Sequence, residues 1–215
     1  DPLDGKETIL IADDADLNRA ILRNLFEDEY NLLEAENGEQ ALILLRQYRE
    51  RITVVLLDLV MPEKDGYEVL KEMQENRFLY HSPVIVITAD DSMGNRARVF
   101  ELGASDVIAK PFDPAEIKNR VKNIIELGRY RRQLETMVAE QSARTREANA
   151  AVIDMLTSVI EYRSLESGQH IRRIRMFTQI LLEDVAENYQ VYNLDSRKIQ
   201  LIMEASSLHD IGKIA

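Results

Sequence analysis

The sequence predicts a doubly wound α/β domain built on a five-stranded parallel sheet, followed by a long helix and an all-α region. Three observations carry this. Short apolar runs rich in Val and Ile alternate with helix-period segments over residues 1–127. Those runs are continuous rather than alternating in polarity, as strands buried on both faces must be. After Asp113 no strand-like run returns, and from Leu127 a seven-residue spacing takes over.

The strands are read in order. "TILIA" from Thr8, "VVLLD" from Val54 and "PVIVITA" from Pro83 are the strong ones; "YNLLEA" from Tyr30 and "DVIAK" from Asp106 are weaker. Between them, helical periodicity covers Leu17 to Glu27, Glu39 to Tyr48, Tyr67 to Glu75 and Arg96 to Leu102. Alternating strand and helix implies right-handed crossovers and a parallel sheet with helices on both faces. Ligands of such sheets sit beyond the carboxyl ends of the strands.

Composition narrows the function classes. The chain has 215 residues, 45% of them hydrophobic and 30% charged, which fits a globular protein with a core. A formal net charge of -11 argues against a nucleic-acid binder, since affinity for phosphate backbones comes from Lys and Arg. There are no cysteines, so any metal must be held by oxygen or imidazole, and His is limited to His81, His170 and His209. No apolar run approaches membrane-spanning length, and the acidic start "DPLDGKE" does not read as a secretory signal. A cytoplasmic protein without a membrane partner is expected.

Chemistry gathers at the strand ends. Asp13 and Asp14 follow the first strand, Asp58 ends the third, Thr88 the fourth and Lys110 the fifth. Carboxylates sharing a pocket repel one another unless a cation is present. Hard oxygen ligands suit Mg²⁺, while Lys110 adds a positive charge and Thr88 a hydroxyl. Such a pocket can receive a phosphoryl group on a carboxylate. The segments "ILIADD", "VVLLDLVMPEKDGYEVL", "VIVITA" and "ASDVIAKPF" closely resemble the receiver domain of two-component response regulators, over about residues 6 to 127. The resemblance implies a flavodoxin-like fold with Asp58 as phosphoacceptor. It implies Mg²⁺ bound by Asp14, Asp58 and the backbone carbonyl of Val60, with Asp13 acting on the metal largely through water. Thr88 and Lys110 would grip the phosphoryl oxygens after transfer from a histidine kinase. One position departs: Val107 stands where the family usually has Tyr or Phe. The usual relay from Thr to an aromatic ring is therefore in doubt, and the helix after Asp113 is expected to read the phosphorylation instead.

That helix carries the series Leu127, Leu134, Gln141, Ala148, Met155, Tyr162 and a companion series Arg131, Val138, Thr145, Val152, Val159. The ends are apolar and the middle, with Arg144, is polar, as in a coiled-coil seam loosened at its centre. A homodimer through a linker over 128–150 is expected, with Gly128 near its start as a hinge or boundary. Two more helices follow, "HIRRIRMFTQILLEDVAE" and one capped at Asp195 or Ser196.

In residues 151–215, Glu166 and His170 are spaced i, i+4, and "HDIGK" contains His209, Asp210 and Lys213. Alone, "HD" reads as a helix terminus, with His near the macrodipole's negative end and Gly212 ending the helix. Together the two segments resemble the HD-GYP group of the HD phosphohydrolases. The resemblance implies His170, His209 and Asp210 as metal ligands, Glu166 as a ligand in three-metal forms, and Lys213 on a nucleotide phosphate. It implies Fe- or Mn-type ions in the complete domain and cyclic di-GMP as the substrate of the complete protein. Ser164 stands where the family often has Asp. The family's further ligands and Gly-Tyr-Pro segment are not in these 215 residues, so the output domain is expected to be truncated. The other expectation is a non-enzymatic phospho-switch with a helical dimerisation or partner-binding module. A hydrolytic site must hold its ion firmly and keep a water in place. The 215-residue chain is accordingly expected not to hydrolyse cyclic di-GMP, and metal-dependent turnover by the purified chain is the measurement that would refute this.

Overall fold

The computed structural model describes residues 5–90, 92–164 and 169–208. Five strands form one parallel sheet: β1 (Thr8–Ala12), β2 (Asn31–Ala35), β3 (Ile52–Asp58), β4 (Val84–Thr88) and β5 (Asp106–Ala109). Their order is β2-β1-β3-β4-β5. The helices between them are α1 (Asp16–Phe26), α2 (Gly38–Tyr48), α3 (Gly66–Glu75) and α4 (Met93–Glu101). Then come α5 (Pro114–Ser164), α6 (Gln169–Asn188) and α7 (Ser196–Ser206).

The continuous apolar runs are explained by two cores. Successive side chains of a strand point to opposite faces. Ile9, Ile11, Val54, Leu56, Ile85, Ile87 and Ile108 face Leu22 and Phe26 of α1 and Ile117, Val121 and Ile125 of α5. Leu10, Ala12, Val55, Leu57, Val84, Val86 and Val107 face Leu42, Leu45, Val69, Leu70, Met73 and Val99 of α2, α3 and α4. Val107, the departure from the family pattern, is therefore a core residue, in register with Val86.

Caps set the helix starts. Asn37 accepts from the Gln40 amide at the head of α2, and Asp65 and Glu68 form a reciprocal capping box on α3. Helix α4 begins three residues before the start its apolar periodicity indicates, because Ser92 accepts from the Asn95 amide and adds a polar first turn. Asp195 caps α7 through the Lys198 amide, as its sequence suggests.

By contacts the chain divides into two units that meet between Leu134 and Glu135, within α5. In the first, α5 passes Gly128 without a break. Arg129 and Arg132 pair with Glu7, and Arg131 lies 4.2 Å over the Tyr80 ring while donating to the Tyr80 carbonyl. In the second, α6 packs on α7, and Arg175 bonds Asp154 at 2.7 Å and also donates to the Ser207 hydroxyl. On α7, Ile202 is exposed and Ile199 half-buried, and Leu208, just past the helix end, is half-buried.

Gly66, which opens α3, decides how closely that helix approaches the end of β3. Its amide donates to the Leu59 carbonyl at 3.0 Å. A Cβ there would collide with the Asp58 carbonyl oxygen and stand 2.7 Å from Leu59 Cα. Both obstacles are backbone, so relief requires moving the β3–α3 turn. Gly66→Ala is expected to destabilise the first unit by roughly 1–3 kcal/mol, the range of forced overpacking with backbone shifts. Urea unfolding followed by circular dichroism checks this; a loss below about 1 kcal/mol would show that the turn yields freely.

Candidate functional site

The strand ends deliver their side chains to one place. β1 is in register with β3, and β3 with β4, so Ala12 pairs Leu57 while Asp58 pairs Ile87. Parallel strands end on the same edge, and the residues following β1 and β5 converge on the last residue of β3. Lys110, whose amide donates to the Thr88 carbonyl, extends its ammonium to Asp13 Oδ2 and Asp58 Oδ2, each at 2.8 Å. Its peptide bond to Pro111 is cis.

Asp13 and Asp58 are 2% and 6% exposed, and Asp14 is open to solvent. The three carboxylates offer oxygens that all lie within 4.8 Å of one another, the only such group among the described residues. This all-oxygen set, with one open side, fits a hard divalent cation such as Mg²⁺ and no softer ion in particular. Val60 is exposed, two residues after Asp58. Thr88, 2% exposed, accepts from the Asp90 amide at 3.1 Å.

His170 lies in the first turn of α6 and is half-buried. Glu166, His209, Asp210 and Lys213 lie outside the described residues.

Two supports are not evident from the strand-end pattern. Asn18 donates to both carboxylate oxygens of Asp13 at 3.0 Å, and the Ala15 amide adds 2.9 Å to Oδ1. Arg19, nearly buried, donates to the carbonyls of Asp13 (2.8 Å) and Asp14 (3.1 Å) and pairs with Asp16, Glu34 and Glu36. The available signal was "DLNRA": polar residues at the positions of α1 nearest Asp13, where a helix packing against the sheet would ordinarily carry apolar ones.

Burial pushes the Asp58 carboxyl above its ordinary value; the Lys110 hydrogen bond and charge and the Val60 amide act downward, and the Asp13 charge acts upward. Lys110 feels the opposite balance. Burial alone would lower it, but hydrogen bonds and charge from Asp13 and Asp58 together hold it above the usual lysine value. The ammonium is thus secured, while burial makes the charged form of Asp58 costly.

A pH dependence follows. A carboxyl raised in the folded state favours folding in its protonated form. That contribution is complete below the unfolded value, near 3.8, and is lost as pH rises through the folded value. Above the folded value the contribution is gone, and burial of the charged carboxylate works against the fold. Asp58→Asn, uncharged throughout, is expected to raise the urea midpoint at pH 7 in a chelator, with the gain shrinking toward pH 4. Equal midpoints at pH 7, or a lower one for the variant, would refute the assignment.

Comparison with known proteins agrees with this geometry. The response regulator receiver domain family matches residues 9–122. A Vibrio cholerae protein named "Probable cyclic di-GMP phosphodiesterase" is 34% identical over 96% of this chain, which spans 48% of that protein's length. The Staphylococcus aureus transcriptional regulatory protein SrrA is 32% identical over 91% of this chain and 68% of its own length. Among solved structures, the receiver domain of Francisella response regulator 1452 shares 28% identity and a TM-score of 0.53, over 56% of this chain and 98% of that one. A chain of the CheX–CheY–BeF3–Mg complex from Borrelia burgdorferi shares 30% identity and a TM-score of 0.51 over 54% of this chain and 87% of that one. With five strands in this order and the acidic site at their carboxyl ends, the chain belongs to the response regulator receiver domain family.

Proposed function

We propose that this chain is the signal-receiving part of a response regulator that accepts a phosphoryl group on Asp58 from a histidine kinase. The observation that carries the proposal is the single Lys110 ammonium held 2.8 Å from both Asp13 and Asp58. A buried carboxylate next to a fixed cation and an acidic cluster is arranged to become a group whose oxygens carry more negative charge. A carboxylate oxygen of Asp58 attacks the phosphorus of a phosphohistidine. The P–N bond breaks, its electron pair returns to the imidazole nitrogen, and an acyl phosphate forms on Asp58. Lys110 is in place to accompany a phosphoryl oxygen, and the Thr88 hydroxyl is available to donate to another.

Asp14, Asp58 and the Val60 carbonyl would hold Mg²⁺, with Asp13 acting through water. When bound, the ion supplies positive charge to the transferring oxygens and relieves repulsion among the carboxylates.

Beyond the first unit, a homodimer through α5 is supported by exposure of the seam. Leu127, Leu134, Val138, Val152, Met155 and Val159 are each at least half exposed in the single chain. The controlled output is an HD-GYP-type phosphodiesterase for cyclic di-GMP. Glu166, His170, His209 and Asp210 would serve as ligands for Fe- or Mn-type ions, and Lys213 would lie on the nucleotide phosphate. The likeness to the Vibrio cholerae protein over nearly the whole chain supports that output.

Incubation with acetyl phosphate and Mg²⁺ is expected to add one phosphoryl group, read by intact mass. Asp58→Asn or a chelator should abolish the addition. Lys110→Ala should slow it by about 10²-fold, the scale for losing one pre-placed charge partner. Undiminished labelling of Asp58→Asn would place the acceptor elsewhere.

A further inference from the structure

Val107 is buried among Val86, Val99 and other apolar side chains, so β5 offers no aromatic hydroxyl that could respond to Thr88. Thr88 is nevertheless the start of a continuous hydrogen-bonded chain running the other way. Its Oγ1 accepts from the Asp90 amide at 3.1 Å. The carbonyl of the same residue accepts from Asn95 Nδ2 at 2.5 Å. Asn95 Oδ1 in turn accepts from the Tyr67 hydroxyl, and the Arg98 guanidinium lies 4.1 Å over the Tyr67 ring. Ser92, bonded to the Asp90 carboxylate through its amide at 3.0 Å, caps the helix that carries Asn95 and Arg98.

We infer that Tyr67 and Asn95 are positioning residues that tie the state of Thr88 to the groove between α3 and α4. The inference rests on the reading of Asp58 as phosphoacceptor. Asn95 is 8% exposed, and both ends of its amide are engaged. A buried side-chain amide cannot lose either partner without a desolvation cost. The Asp90 backbone is gripped at its amide by Thr88 and at its carbonyl by Asn95. When the Thr88 hydroxyl turns to a phosphoryl oxygen, its hold on the Asp90 amide changes. Asn95 then follows the Asp90 carbonyl, and Tyr67 follows Asn95. The far end of the chain is at the surface: the groove, about 250 Å³, is lined by Asp65, Tyr67, Glu68, Lys71, Arg98 and Leu102 among others. A tyrosine on α3 thereby takes up the reporting task that β5 leaves open.

The test uses the whole 215-residue chain labelled with fluorotyrosine, with Mg²⁺ and beryllofluoride as the phosphoryl mimic. The Tyr67 fluorine resonance is identified as the one missing from Tyr67→Phe, and bound beryllofluoride gives its own fluorine signal. In the wild type, filling of the site is expected to shift the Tyr67 resonance. In Asn95→Asp, which keeps an acceptor for Tyr67 but has no donor for the Asp90 carbonyl, the site should still fill while the shift is lost. Asn95→Ala should lose it as well. A Tyr67 resonance that stays put with the site filled overturns the inference, as does a shift preserved in the folded Asn95 variants. No bound beryllofluoride in the wild type, or equal binding by Asp58→Asn, overturns the phosphoacceptor reading itself and the relay with it.

Discussion

Lys110 places one ammonium group 2.8 Å from Asp13 and from Asp58, and those two carboxylates are almost wholly buried. Buried carboxylates of this kind are costly unless paired. One lysine serves two of them, and Asn18 and the Ala15 amide complete the satisfaction of Asp13. Asp58 has less: the shared ammonium and the amides that follow it. The asymmetry has a chemical meaning. The carboxylate with the fuller set of donors is fixed, and the one that burial leaves above its ordinary pKa has most to gain from a metal ion or from the acyl phosphate proposed for it.

The rest of the first unit serves to hold that edge. Two cores of alternating strand residues clamp the sheet from both faces, so the strand ends cannot drift relative to one another. Gly66 lets α3 start directly against the Asp58 carbonyl, and the Asp65–Glu68 box fixes that start. Arg19 binds the two carbonyls after β1 and so orients Asp13 and Asp14 from behind. Each device is local, yet each bears on where a carboxylate of the site stands.

Much of this was legible in the sequence because the signals were redundant. Apolar runs located the strands, and the strand ends located Asp13, Asp14, Asp58, Thr88 and Lys110. Less legible were features set by capping and by side-chain to backbone bonds. The start of α4 depends on Ser92 rather than on apolar periodicity, and "SMGN" has no apolar stripe to reveal it. Asn18, Arg19 and Asn95 act on groups five or six residues before them, and a polar residue on a helix gives no sign of which backbone group it will hold. Arg131 shows the same limit. In the seam series it occupies a companion position, whereas in the folded first unit it rests on the Tyr80 ring and carbonyl.

Helix α5 joins two kinds of requirement in one element. Ile117, Val121 and Ile125 are sealed into the core of the first unit, so its first turns are fixed by the sheet. From Leu127 onward the seam residues Leu127, Leu134, Val138, Val152, Met155 and Val159 are exposed, and the dimer proposed above would cover them. Arg129, Arg131 and Arg132 hold the changeover, binding Glu7 and Tyr80. Polar residues at Gln141, Arg144 and Thr145 then keep the proposed seam from being uniformly apolar. A seam of full strength would pair regardless of the receiver's state. In the proposed dimer, one weakened at its centre would leave the pairing sensitive to small changes, because polar seam positions lower stability while fixing register. In the proposed dimer the polar middle of α5 would lower the stability of the seam and fix its register, while the apolar ends would hold the pair together.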